Sequence, residues 1–371
     1  MGVKAVNSRI NMRESRYAKG NPFRSIYIPK DPKEILDTAF KKALRISPPG
    51  GIRLNIIKRK KSVTITRIKT LSNELYKRLL KIVKSLPSVD NIHPFYASVM
   101  EIWLSKDDYK RYIAKIHGAA KLVQRIAEDY ILRIRSTKKT EEIPVKEVLD
   151  TIDKLRIEAY GRISSVIESL STELARLADL IRKMKKLPDY DPSLPAIVVS
   201  GPPNAGKSSF VKAVSNARVE IASYPFTTKN ITFGHINFIE NGIIIGKAQI
   251  ADTPGLFDRP INERKEPELL ALNAIKYLAD IIVFLFDGSY ERVMDYDEQI
   301  RVYKTVREFL GRDKPAIIAI NKVDIRDDDL ITKLREYITK KENKEYIEIS
   351  AKNGYNLNIL TERIRRALEI S

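Results

Sequence analysis

Between Leu149 and Met184 apolar residues fall at Leu149, Ile152, Leu155, Ala159, Ile163, Val166, Leu170, Leu174, Leu177, Ile181 and Met184. Steps of three and four predict one long helix with a single apolar stripe. Leu71, Leu75, Leu79, Ile82 and Leu86 predict a second helix, stopped at Pro87. Ile113, Ile116, Ala120, Val123, Ala127, Tyr130 and Ile134 predict a third. Stripes of this width bury against one another, so the reading is an antiparallel helical bundle rather than a membrane-facing surface. Residues 1–30 read as irregular. Residues 52–68 alternate enough around Val63 and Ile65 to suggest a short strand pair.

Two Pro-containing polar stretches interrupt the chain, Ser136–Pro144 and Leu187–Pro195. At the second the hydrophobic period changes, which places a boundary between a helical domain, 1–190, and a second domain, 191–371. Ala196–Ser200 reads as a short buried strand. Ile231–Ile239 and Ile243–Ala251 read as two strands joined by an Asn241-Gly242 turn. Ile281–Asp287, Ala316–Ile320 and Tyr346–Ile349 are further apolar strands with helical stretches between them, and a helix over Leu360–Ile370 closes the domain. Alternating strand and helix implies a mostly parallel sheet covered on both faces.

Charge adds a second division at the same place. The 371 residues carry 67 Lys and Arg against 47 Asp and Glu, a formal net charge of +20. Residues 1–190 hold 41 basic and 21 acidic groups, and residues 191–371 hold 26 of each. No acidic residue occurs between Asp37 and Glu74. That interval contains Lys41, Lys42, Arg45, Arg53, Lys58, Arg59, Lys60, Lys61, Arg67 and Lys69. Such a cluster repels itself, and a polyanion relieves that by releasing counterions. Nucleic acid is the expected partner; an anionic membrane surface is the alternative. With 43% hydrophobic residues the chain can build packed cores. It has no cysteine, so neither a disulfide framework nor a thiolate zinc site is available. No apolar run is long enough to span a bilayer, and the N-terminal segment has no apolar signal core. The expectation is a cytoplasmic protein without a membrane span, acting as a monomer.

The chemistry-bearing motifs lie in the second domain. The strand Ala196–Ser200 runs into Gly201-Pro202-Pro203-Asn204-Ala205-Gly206-Lys207-Ser208, the pattern G-x-x-x-x-G-K-S. Gly201 and Gly206 free the backbone so that successive N–H groups can point at a β-phosphate, and the following helix adds its N-terminal dipole. Lys207 can neutralise β- and γ-phosphate oxygens; Ser208 can offer its hydroxyl to Mg²⁺, with Ser209 beside it. A nucleoside triphosphate is the implied ligand. Asn321-Lys322-Val323-Asp324 follows the strand Ala316–Ile320. A carboxylate at Asp324 can accept from the paired N1–H and N2–H₂ donors of guanine, which adenine lacks. The Lys322 stem can lie over the base, and Asn321 can hold neighbouring loops. Ser350-Ala351-Lys352 follows the last strand, with backbone N–H groups expected to face guanine O6.

Asp252-Thr253-Pro254-Gly255 ends the strand Ile243–Ala251. Asp252 can hold Mg²⁺ through water, and the Gly255 N–H can sense the γ-phosphate. In the loop Tyr224–Thr228, Thr228 is the expected second hydroxyl on Mg²⁺, with Thr227 as the alternative, and Phe226 and Thr227 are expected beside it on the nucleotide. Both loops would be ordered by the γ-phosphate and released on hydrolysis. Lys207, Thr228 and Gly255 are thus the candidate catalytic groups.

These segments occur in the order of a Ras-like P-loop GTPase domain, giving an α + α/β fold class with the helical bundle first. GPPNAGKSS, YPFTTK and DTPGLFDRP resemble the Obg-related GTPases, and within them the nucleolar GTP-binding protein family. Ile92–Tyr96, Lys106–Lys110 and Asp258–Arg264 resemble that branch too, in its helical domain and second switch. The chain looks like a short form that ends after the GTPase domain. The resemblance implies GTP and GDP as ligands, GTP hydrolysis with Mg²⁺, and a switch role in large ribosomal subunit assembly on rRNA or a pre-ribosomal particle. Leu256 stands where Ras-type enzymes have the Gln that orients water, so slow turnover is expected. Asn204 matches the place where related GTPases hold K⁺, which would neutralise developing charge. A membrane-surface GTPase and a GTP-dependent scaffold with negligible turnover are the alternatives. His93, His117 and His235 lack ligand spacing and read as structural. Trp103 reads as a core residue, and Asp107 and Asp108 as a solvated helix start.

Overall fold

A computed structural model describes residues 17, 19–47, 55–138, 143–215, 220–222, 231–252 and 265–370. The chain divides into two compact units, one within residues 25–87 and 104–183, the other within 1–24, 88–103 and 184–371.

The first unit is helical. α1 (Pro32–Leu44) starts at Asp31, whose side chain accepts the Lys33 N–H. α2 (Ile56–Ser85) starts at Asn55, which accepts from Ile57. Helices Lys106–Ser136, Val145–Glu168 and Ser171–Met184 complete the bundle, apart from the last residue of the third, which falls in the other unit. The buried positions Ile68, Leu71, Leu75, Leu79 and Ile82 on α2 follow the predicted stripe. Each buried Leu or Ile contributes on the order of 2 kcal/mol, so the stripe rather than helix propensity fixes this element.

Three expectations are corrected. Residues 56–68 are helix, not a strand pair. Burial there falls at Ile57, Thr64 and Ile68, a helical spacing, while Val63 and Ile65 are only half-buried. Contacts with other helices, such as Lys60 Nζ to Asp153 at 2.7 Å, override the local alternation of β-branched residues. The single helix expected across 149–184 is two, broken at Ser169-Leu170. The Ser169 hydroxyl donates to the Val166 carbonyl, and Lys115 Nζ approaches the Ser169 carbonyl at 3.3 Å and the Glu173 carboxylate at 2.6 Å. Buried Ile167 and Leu170 are three residues apart, so the apolar spacing runs through the break unchanged. Trp103 and Ile102 are half-buried, not core, on the loop after the short helix Pro94–Glu101.

The second unit is built on a seven-stranded sheet of order β2-β3-β4-β1-β5-β6-β7. Its strands are β1 (Ala196–Ser200), β2 (Glu220–Ala222), β3 (Ile231–Glu240), β4 (Ile243–Asp252), β5 (Ile281–Asp287), β6 (Ala316–Asn321) and β7 (Tyr346–Glu348). β2 was not anticipated from the sequence. β4, β1, β5, β6 and β7 are parallel, and at one edge β3 runs antiparallel to both of its neighbours, β4 and β2. β1 and β5 are buried throughout, as strands covered on both faces must be. Asn241 and Gly242, at φ +49 and +80, form the β3–β4 turn. Residues 88–103 cluster with this sheet unit although they lie within the helical half of the sequence. There Tyr96 donates to the Pro188 carbonyl and accepts the Tyr190 N–H, both at 2.9 Å. His93 accepts the Phe95 N–H and lies against the Tyr17 and Tyr190 rings. Ser105 caps the helix that begins at Lys106, ahead of Asp107 and Asp108.

Candidate nucleotide site

Parallel pairing brings the C-terminal ends of β4, β1, β5, β6 and β7 to one edge, where open α/β sheets bind ligands. β1 ends in the loop 201–206, followed by a helix over Lys207–Val214. Its first glycine is required by packing: a Cβ on Gly201 would lie 2.2 Å from the Leu285 carbonyl oxygen of β5. Gly206 has φ +85, and a Cβ there would lie 2.3 Å from Asn321 Nδ2. Asn204 takes φ +60 and is exposed at the tip of the loop, while Ala205 is buried. Pro202 is buried and Pro203 half-buried. Lys207 is buried, and its ammonium donates to the Gly201 and Pro202 carbonyls at 2.9 and 2.7 Å. These are the acceptors it would exchange for phosphate oxygens.

Register pairs Val199 with Asp252, so the buried Asp252 stands beside the loop. The Ser208 hydroxyl donates to Asp252 Oδ2. A hydroxyl and a carboxylate side by side form a hard oxygen pair suited to Mg²⁺. Ser209 is exposed one position on. Phe226, Thr227, Thr228, Gly255 and Leu256 lie outside the described residues.

β6 ends in Asn321, which is 1% exposed. Its Nδ2 donates to the Ala205 carbonyl at 2.7 Å, and its Oδ1 accepts the Ala351 N–H at 2.9 Å. One side chain thereby ties the phosphate loop to the 350–352 loop. Asp324 Oδ1 accepts the Ser350 hydroxyl at 2.6 Å. The Ser350 N–H donates to the Tyr355 carbonyl. Two of the three amides expected to face guanine O6 therefore have protein acceptors in this structure. Lys352 is exposed beyond them. Asp327, at the start of the helix Asp328–Glu336, has its carboxyl held below the usual range. The Leu330 N–H contributes most to this, and the Arg292 guanidinium adds to it.

Sequence reasoning missed two members of this edge. Asp287, the last residue of β5, is 1% exposed and pairs with Lys322 Nζ at 2.8 Å. Gln299, fully buried on the helix Tyr296–Leu310, accepts the Asp287 N–H. The available signal was an acidic residue closing a wholly apolar strand just before Gly288.

A family model described as the NOG1 N-terminal helical domain matches residues 23–191, and one described as a 50S ribosome-binding GTPase matches 196–322. An uncharacterized protein of Methanocaldococcus jannaschii is 31% identical, over 84% of this chain and 84% of its own. Nucleolar GTP-binding protein 1 of Drosophila melanogaster is 29% identical, over 88% of this chain and 48% of its own. The chain spans about half the length of most curated relatives it matches. A nucleolar GTP-binding protein 1 crystal structure from Plasmodium falciparum aligns with 28% identity and a TM-score of 0.41, over 49% of this chain and 90% of that one. The two family models and the sequence relatives agree, and the chain belongs to the nucleolar GTP-binding protein family, with a P-loop GTPase domain after its helical one.

Proposed function

We propose that this GTP-binding protein is a slow GTPase switch in large ribosomal subunit assembly, docked on rRNA through its basic helical domain, residues 1–190, and governed by its nucleotide domain, 191–371. The observation that carries the rRNA part is a set of exposed cations. Of the ten between Lys41 and Lys69, Lys42 pairs with Glu74 and Lys60 with Asp153. Lys61 and Arg67 donate to backbone carbonyls, and Arg53 lies outside the described residues. Lys41, Arg45, Lys58, Arg59 and Lys69 are exposed and form no ion pair among the described residues. The described 50S ribosome-binding GTPase and the nucleolar names of the relatives favour rRNA as the polyanion. The compartment follows the ribosome: cytoplasmic without a nucleus, nucleolar where the relatives' names apply.

In the proposed reaction water attacks the γ-phosphate in line. Lys207 leaves its loop carbonyls for the β- and γ-phosphate oxygens. The Ser208 hydroxyl and Asp252 carboxylate would hold Mg²⁺, with Thr228 as the second hydroxyl, and the ion would supply positive charge to offset the charge that develops on the phosphates. The Gly255 N–H would sense the γ-phosphate. Leu256 supplies no hydrogen bond to water, so turnover depends on help from a ribosomal partner or from K⁺ at the Asn204 amide oxygen. Equal turnover in KCl and NaCl at matched ionic strength removes the K⁺ part.

The test is co-sedimentation of the full chain with large-subunit particles and with anionic liposomes across salt concentrations, alongside single-turnover GTP hydrolysis with and without the particles. Particle binding that weakens with salt, and hydrolysis that rises on the particle, are expected. Preference for liposomes would establish a membrane-surface role instead, and no turnover under either condition a scaffold.

A further inference from the structure

Asp287 is a buried carboxylate that no step above uses. Both of its oxygens are committed. Oδ1 accepts the Ser289 N–H at 3.0 Å and the Ser289 hydroxyl at 2.7 Å; Oδ2 takes the Lys322 ammonium at 2.8 Å. Its backbone is clamped as well. The Asp287 N–H donates to Gln299 Oε1, and Gln299 Nε2 donates to the Asp287 carbonyl at 3.1 Å. The carboxylate is thus a fixed post, set by β5 and a buried glutamine.

Lys322 is the partly exposed member of the pair. Its backbone is left-handed, φ +65 and ψ +35, a conformation that costs a non-glycine residue energy and must be held by its surroundings. Its side chain keeps 23% of its surface exposed although its ammonium is paired. The aliphatic stem is therefore strung at the surface between its own Cα and the Asp287 carboxylate. Asp324, the reader of the base edge, lies two residues further on and is fixed separately by the Ser350 hydroxyl.

We propose that Asp287 is a positioning residue for the base: by anchoring the Lys322 ammonium it fixes the stem as an apolar bar across the purine plane, and so sets residence time without reading base identity. This rests on the guanine reading of the Asp324 pocket. A free lysine stem would have to lose rotamer freedom when the nucleotide binds, whereas a tethered one has already lost it.

The experiment uses the full chain and fluorescent mant-GDP and mant-IDP, inosine lacking the N2 amino group that Asp324 reads. Asp287→Asn keeps the shape and the Ser289 bonds but drops the charge. It is expected to weaken both ligands about tenfold, the scale of one charge-assisted hydrogen bond, mainly through faster release. The GDP-to-IDP ratio should stay at its wild-type value, and adding Asp287→Asn to Lys322→Met should cause no further loss. Wild-type affinity in Asp287→Asn overturns the inference. So does an equal loss in the Lys322→Met background, which would make Asp287 merely structural. A collapsed GDP-to-IDP ratio overturns it too, since the whole loop would then have moved. Should Asp287→Asn not fold, the ¹⁵N ammonium resonance of Lys322 in the GDP-bound wild type decides, assigned by its loss in Lys322→Met. Protection from solvent exchange supports the tether, and fast exchange overturns it. Wild-type protein that binds neither ligand would sink the guanine reading itself, and this inference with it.

Discussion

Replacing Asn321 by Ala tests whether one buried amide holds the nucleotide edge together. The change removes a donor to the Ala205 carbonyl and an acceptor for the Ala351 N–H, both buried. Water has little access, because Asn321 is 1% exposed. Each orphaned group costs roughly 1–3 kcal/mol, so the variant should lose about 3 kcal/mol after partial relaxation. For a domain of this size that corresponds to a fall in Tm of about 6–12 °C. Because the two partners belong to the phosphate loop and the 350–352 loop, nucleotide release should quicken as well. Differential scanning calorimetry and stopped-flow mant-GDP release on the full chain measure both effects. Asn321→Asp, which keeps the acceptor and puts a carboxylate against the Ala205 carbonyl, should be no better than Ala. A Tm within about 2 °C of wild type, with unchanged release, would refute the claim that this amide joins the loops.

Other outcomes follow from the same geometry. Asp324→Asn should shift preference from GTP toward XTP, because the carboxylate that matches guanine's paired donors is gone; competition binding with the two nucleotides measures it. Lys207→Ala should lower GTP affinity about a hundredfold, since a buried cation aimed at the phosphates is lost; calorimetric titration measures the change. Changing Lys41, Arg45, Lys58, Arg59 and Lys69 together to Gln should weaken particle binding, reduce its salt slope by up to about five, and leave GTP affinity intact. The Asp327 carboxyl is held low by the Leu330 N–H and Arg292, so its contribution is full above the unfolded carboxylate pKa of about 3.9 and is lost as pH falls below it. Asp327→Asn should therefore flatten the fall in Tm between about pH 5 and pH 2, measured by thermal melts in a buffer series.

What could be read from the chain alone was whatever local spacing encodes. Gly201, Gly206 and Lys207 stand at positions dictated by phosphate-loop backbone geometry, and Asn321 and Asp324 follow a strand of unmistakable apolar run. The stripe Leu71–Ile82 named its helix because 3.6-residue periodicity is a property of neighbours in sequence. The change of period and of charge at residues 187–195 suggested two halves, whereas the compact units place residues 88–103 and 184–190 with the sheet, a grouping that only folding decides. The remainder depended on groups distant in the chain. Residues 56–68 are helix because Ile57, Thr64 and Ile68 bury on one face against helices distant in the sequence, with the Lys60–Asp153 pair at its margin. The break at Ser169 leaves the apolar period intact, and its partner Lys115 lies on another helix. Asp287 gained its role only when β5 and β6 paired in a register that set Asp287 beside Asn321 and brought the Lys322 ammonium within 2.8 Å. Periodicity fixes which face of an element is apolar; only the folded register decides which polar atom at the end of one strand meets which atom at the end of the next.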